Sequence, residues 1–314
     1  MKRLILYILA FAALVSCTHK ELCYDHPHVA NVNVTFNWTE EPVKVPESMS
    51  VYFFRDESAD EPLRFEFTEQ EGGRIRLTPG IYHALCVNSD ERTHQLLYTD
   101  EYDSFYVTTK DASSITGLTT FGVTPQNLPR AKSAEDERIV AEPKNVWYSN
   151  ARDIVVGDGT DHSMSLDIRP QLATYDIEVK NVANLKWVYG VSATMSGLVG
   201  GIHLGTGALS EERVTIPFEA QWDKETNTIS GSFTTFGHCP TNDNKHYLKI
   251  YAVLADGSCW DFTYDVTDIV HNAPDENRIT IELDGLPIPK PVANGGGFKP
   301  TVDGWNSVEI ELKM

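Results

Sequence analysis

What this chain lacks narrows it first. Beyond its first residues no apolar run approaches the roughly 20 residues that carry a helix across a bilayer, so the remainder reads as soluble. No helical period persists for three turns anywhere, which argues against a helical bundle. Basic residues are scarce, 26 against 45 acidic ones, for a net charge of −19. A surface of that sign repels phosphates and anionic headgroups, so nucleic acid is excluded as a partner. Solubility is reason enough for the charge, without an acidic-partner role. Catalytic signatures are also missing. No Gly-x-Ser-x-Gly elbow occurs, and Ser196-Gly197 lacks the flanking glycine. His26 and His28 flank Pro27 with no third ligand at helical spacing, and His83 reads as a hydrogen-bonded strand histidine. Asp158 and Asp161, beside Gly157 and Gly159, lack the ordered ligands of a calcium loop. The expectation is a noncatalytic protein with no metal and no cofactor.

What is present begins at the N-terminus. Lys2 and Arg3 precede an apolar run from Leu4 to Val15, too short to span but the right length for a secretory signal. It ends in Leu14-Val15-Ser16-Cys17, which resembles the lipobox of bacterial lipoproteins. Residues 1–16 are therefore expected to be a signal peptide, cut between Ser16 and Cys17, with Cys17 lipidated and 17–28 a tether. The alternative, an ordinary secreted protein, leaves the match of charge, length and all four lipobox positions unexplained. One acyl chain, at about 0.8 kcal/mol per buried CH₂, anchors marginally, whereas two or three hold firmly. Without Lys2 and Arg3 the balance is 24 against 45, or −21. Cys23, Cys86, Cys239 and Cys259 remain, in a compartment that permits disulfides. They allow three connectivities and show no zinc-type spacing; Cys239 with Cys259 is the favoured pair, the alternative being isolated packed thiols.

Period-two alternation then recurs. Val32, Val34, Phe36 and Trp38 share one face of a strand, with Asn31, Asn33, Thr35 and Asn37 on the other. Val51–Phe54 is a further strand. Leu63–Phe67 and Arg74–Leu77 read as a hairpin turning at Gly72-Gly73, followed by a strand at Ile81–Val87 and a closing one at Phe105–Thr108. Residues 122–163, with Pro125, Pro129 and Pro143, read as a linker or exposed crossover between a domain at 29–121 and one at 164–314. The second domain alternates at Tyr175–Val179, Trp187–Met195, Val214–Phe218, Thr228–Phe236, Arg278–Leu283 and Val308–Leu312, with one short helix at Val266–His271. For the hairpin His246–Val266, a two-residue turn at Asp256-Gly257 would oppose Ile250 to Thr263. A three-residue turn at Ala255–Gly257 pairs Leu248 with Tyr264, Ile250 with Phe262 and Ala252 with Trp260, giving one apolar face. That register puts Cys259 on the other face, opposite Val253, which argues against deep burial. The whole is expected to be all-β, as two sandwiches in tandem.

Three stretches carry a family resemblance. Arg76-Leu77-Thr78-Pro79-Gly80-Ile81-Tyr82 resembles a turn-strand element of Bacteroidales fimbrial anchor proteins of the FimB/Mfa2 type. Met195 to Ile202, and Val302-Asp303-Gly304-Trp305 to Ile310, resemble the fimbrillin-like lipoproteins grouped as DUF5119. The resemblance implies two transthyretin-like β-sandwich domains, a lipidated N-terminus on the outer membrane facing the cell surface, and fimbrial subunits as partners. It also implies assembly by strand addition. Thr18-His19-Lys20-Glu21 is not the acidic export signal that surface display would use, which leaves the periplasmic face open. The alternative is a surface glycan-binding lipoprotein that stacks sugars on exposed tryptophans among Trp38, Trp147, Trp187, Trp222, Trp260 and Trp305. A third, a hydrolase, would need two convergent carboxylates in a pocket.

Overall fold

The chain alternates because its strands are buried on one face or both, and a computed structural model shows where each face goes. It describes residues 29–42, 44–56, 60–89, 93–158, 161–238, 244–292 and 304–312. The first half contains β1 (Ala30–Trp38), β2 (Met49–Arg55), β3 (Leu63–Phe67), β4 (Gly72–Leu77), β5 (Gly80–Asn88), β6 (His94–Leu97), β7 (Tyr106–Thr109), β8 (Arg138–Ile139), β9 (Trp147–Val156) and β10 (Asp161–Pro170). The second contains β11 (Ala173–Val182), β12 (Val188–Val199), β13 (Gly201–His203), β14 (Ala208–Leu209), β15 (Arg213–Phe218), β16 (Ala220–Asp223), β17 (Thr228–Thr235), β18 (Tyr247–Leu254), β19 (Cys259–Asp265), helix α1 (Thr267–His271), β20 (Arg278–Leu286) and β21 (Trp305–Ile310). No described helix is long and apolar enough to cross a membrane.

Seven strands form one sheet in the order β3-β2-β5-β9-β10-β1-β4. It doubles back on itself at β10, which touches β9 only through Arg169 and Pro170 and pairs in parallel with β1 over residues 161–168. Ala30, Val32, Val34 and Phe36 of β1 thereby face Val51, Phe53, Tyr82, Ala84 and Cys86, making the N-terminal sandwich. The expected hairpin at 63–77 does not form. β3 pairs with β2 and β4 with β1, at opposite edges of the sheet, so the chain between them crosses the open side. Phe67 decides this by packing edge-on against Phe36, centroids 5.3 Å apart. Gly72, at φ 104°, lies so close to the Val34 carbonyl that no side chain would fit.

The domain boundary also moves. β9 and the start of β10 fall inside the expected linker 122–163, yet both belong to the N-terminal sheet, so that sandwich runs to Pro170. Tyr106–Thr109 does not close it either. β7 lies in a four-stranded sheet, β14-β13-β7-β6, and pairs with β13 from the second half. Between this sheet and the outer face of β2 and β5 lies a shared core of Tyr52, Phe54, Leu85, Val87, Phe105, Val107, Val199, Ile202 and Leu204.

The C-terminal sandwich packs the four-stranded sheet β16-β17-β11-β20 on the six-stranded sheet β21-β19-β18-β12-β15-β8. Tyr175, Ile177, Val179, Ile279 and Ile281 meet Val191, Ala193, Met195, Leu248, Ile250 and Phe262 between them. The register of β18 with β19 is the three-residue-turn one: Leu248 with Tyr264, Ile250 with Phe262, Ala252 with Trp260. Cys259 does lie opposite Val253, but it is buried nonetheless. The expectation fails because Ile115 and Leu118, with Val123 and Leu128 of the crossover, cover that outer face, with Tyr251, Val253 and Cys259 beneath them. The all-β class and the two tandem sandwiches hold.

Candidate functional site

Along one side of the C-terminal sandwich the two sheets end in β20 and β21, and among the described residues neither strand has a partner on its outer edge. A groove of about 1310 Å³ runs there. Its floor is apolar, with Ile269, Leu283, Ile310 and Leu312, because β20 alternates toward the core and β21 lies at the margin of it. The rim is charged. Lys132 pairs with Glu309 at 2.6 Å and Lys245 with Asp265 at 3.3 Å. Burial opposes ionisation of Asp265, but hydrogen bonds from the Thr267 hydroxyl and amide and from Lys245 outweigh it and hold its pKa low. Lys249, which lines the groove, forms an almost wholly buried ion pair with Asp261, and Ser307 of β21 donates to Asp261 at 2.6 Å. Unpaired edges beside an apolar floor fit an extended peptide segment, whose backbone would find partners and whose alternate side chains would find the floor.

A second concavity, about 530 Å³, lies at the shared four-stranded sheet. Tyr98, Asp100, Glu101, Ser104, His203 and Thr206 line it. Tyr98 is 63% exposed and adopts φ 53°, which turns its ring outward at the end of β6. The His203 ring lies against Tyr106, centroids 4.9 Å apart. An open aromatic face among carboxylates and hydroxyls is a chemistry that can take a sugar.

A third cluster sits where β12 bulges. The registers of β12 against β15 shift between Met195 and Leu198, so both residues face the core although three apart. The extra residue is absorbed at Ser196-Gly197, with Gly197 at φ 77°. The Gly197 amide donates to Glu137 Oε2 at 3.1 Å, and the Ser196 hydroxyl receives the Tyr247 amide at 3.3 Å. Ser196 is thus structural. Its carbonyl faces Nδ1 of the fully buried His246 at 3.4 Å. His246 Nε2 is 3.1 Å from Nε2 of His271, and His238 stands 5.9 Å, centroid to centroid, from each ring. Burial, with the imidazoles of His271 and His238, pulls His246 down to about 4. Burial and His271 likewise lower His238. Among the described residues no group of three or more His, Cys, Asp or Glu side chains is arranged to hold a metal ion.

The residues singled out by sequence fall in different places. Ser16, Cys17, Cys23, Cys239, His26 and His28 lie outside the described residues. Cys86 and Cys259 are buried free thiols. The expected pairing of Cys239 with Cys259 involves a residue outside the described ones. His83 accepts the Asp153 amide at 3.2 Å, as a strand histidine should. Asp158 and Asp161 are exposed, Asp161 pairing with Arg74 at 3.4 Å. Of the tryptophans, Trp38 and Trp147 pack edge-on at 5.3 Å and Trp187 is the most open, 41% exposed. The groove and the Tyr98 cleft are not legible in sequence because each joins segments far apart in the chain.

Comparisons with known proteins agree with this architecture. The model of the family described as "Domain of unknown function (DUF5119)" matches residues 16–219. No curated protein matches. Among solved structures, a candidate adhesin from Bacteroides ovatus superposes with a TM-score of 0.60 at 18% identity, covering 87% of this chain and 98% of that one. The fimbrial anchor protein Mfa2 from Porphyromonas gingivalis gives 0.50 at 12% identity, covering 81% and 91%. A candidate polysaccharide-binding protein from Bacteroides thetaiotaomicron gives 0.50 at 9%, covering 81% and 90%. At these identities the likeness is one of fold.

Proposed function

The chain belongs to the DUF5119 family, and from that premise we propose that it is a noncatalytic lipoprotein of the cell envelope, acting as a fimbrium anchor or fimbrillin-like accessory subunit. Cys17 carries the lipid after cleavage behind Ser16, and the two sandwiches stand on the outer membrane at the cell surface. The partner is a fimbrial subunit whose extended segment lies in the groove between β20 and β21. The groove itself carries this reading: two edges that are unpaired among the described residues flank an apolar floor in the second sandwich. The shared fold with Mfa2, a fimbrial anchor, is consistent with it.

Two experiments test the reading. Ile310 is half-buried on the groove floor, so Ile310→Arg should leave the protein folded and lipidated while fimbriae are released into the medium or change in length. Fimbriae that stay attached and unaltered, in this variant and in a deletion strain expressing its fimbrial genes, would sink the proposal. For the anchor, Cys17→Ala should abolish palmitate labelling; labelling that persists shows the lipid is elsewhere.

The Tyr98 cleft favours a second reading, glycan binding at the surface. It predicts a glycan-array signal that Tyr98→Ala removes, and fimbrial attachment indifferent to that substitution. The fold is shared with a candidate polysaccharide-binding protein, which accords with this alternative.

A further inference from the structure

His238, His246 and His271 are separated by 8 and 25 residues, and the fold brings them together. His238 closes the strand-like bridge to Leu198, His246 precedes β18 and His271 ends α1. Ser196 O can only accept, so His246 Nδ1 carries the proton and its Nε2 holds a lone pair. A metal-binding histidine has this arrangement, with Nδ1–H held by a backbone carbonyl and Nε2 free. The nitrogen opposite is Nε2 of His271, 3.1 Å away. At metal–nitrogen bonds of about 2.0–2.1 Å, two nitrogens so spaced subtend roughly 100° at a common ion, between the octahedral and tetrahedral angles.

We propose that His246 and His271 are a chelating pair for a borderline divalent transition-metal ion such as Zn²⁺, with His238 closing as a third ligand after rotation of its side chain. Without metal the pair is joined by a hydrogen bond, His271 Nε2–H donating to His246. On binding, the His271 proton moves to Nδ1 and both Nε2 lone pairs turn to the ion. His271 is only half-buried, which gives the ion a way in. The proposal requires no fimbrial partner, although the site adjoins the docking groove, which Lys245, Asp265 and Ile269 line.

The test uses the purified full-length lipoprotein in detergent, stripped with chelator and titrated with zinc chloride alone. The expected result is one ion per chain with micromolar affinity, and a rise in melting temperature on adding zinc. His246 is buried and its replacement could unfold the corner, so the decisive variant is His271→Gln, whose amide can still donate to His246. It should keep the metal-free melting temperature and lose at least tenfold in affinity together with the zinc-induced rise. His238→Gln should lose affinity to a smaller degree, and Cys239→Ser should lose none. Absence of saturable binding overturns the proposal. So does binding that survives His271→Gln, or binding that depends on Cys239 instead.

Discussion

Gly197 and Gly122 adopt nearly the same left-handed backbone, φ 77° and 75°, in very different surroundings. A side chain on Gly122 would meet nothing within 4 Å, whereas one on Gly197 would stand 2.3 Å from the Lys245 carbonyl and 2.9 Å from His246 Nδ1. The left-handed conformation alone costs an L-residue roughly 1–2 kcal/mol. Gly122→Ala should therefore lower the unfolding free energy by about that much, and Gly197→Ala by clearly more, because backbone must also move. Urea denaturation of the two variants checks the difference, and equal losses would show that the bulge yields easily. In sequence Ser196-Gly197 stood out only inside a family-like stretch. The reason for its glycine, the Lys245 carbonyl some fifty residues away and just before β18, cannot be read from local pattern. The same holds for the three histidines, whose neighbours are supplied by β12, β18 and α1.

At the scale of elements, one pairing was legible and others were not, for a reason the strands make plain. The hairpin of β18 and β19 is local, and only one turn length puts its apolar residues on one face, so its register follows from the sequence. Parallel pairs such as β1 with β10 join Asn31 to Asp161, and nothing in either strand names its partner. Leu63–Leu77 looked like a hairpin since two alternating runs met at two glycines, yet Phe67 and Ile75 serve the same core from opposite edges. Alternation also hides strands buried on both faces. Lys249 and Asp261 lie on the outer face of the six-stranded sheet, where polar residues would ordinarily meet water, but there they are 4% and 0% exposed. Truncating the lysine leaves a buried carboxylate without its cation, which costs about 3–5 kcal/mol. Lys249→Met should lower stability by that amount, and Lys249→Met with Asp261→Leu should recover most of it. If the double variant is no better than the single in urea unfolding, the loss comes from Ser307 and β21, not from the uncompensated charge.

For the whole molecule, the question is whether the tandem sandwiches behave as separate bodies. The prolines and charges of 122–163 break the alternation, so that segment reads as a linker or exposed crossover between them. The structure instead spends that segment on both halves: the crossover covers the outer face of the six-stranded sheet, and β9 and β10 complete the N-terminal one. The seam is apolar and has Phe105 at its centre, fully buried and edge-on to Tyr52 at 4.9 Å, with Ile202 and Leu204 from the second half beside it. Arg138 adds a polar clasp, reaching Glu212 at 2.9 Å and Asp111 at 3.0 Å. Domains that share such a core cannot unfold independently without exposing it, so the intact chain should melt in one transition, with tryptophan fluorescence and circular dichroism coincident. Phe105→Ala should lower that stability by about 3–5 kcal/mol. If the seam is what couples the halves, the same substitution should also split the transition, the fluorescence and dichroism curves parting. A single shifted transition would place the coupling in the crossover and its Arg138 clasp instead. Coupling of this kind would let force applied to the C-terminal sandwich pass through packed side chains to the N-terminal one, without stretching a free linker.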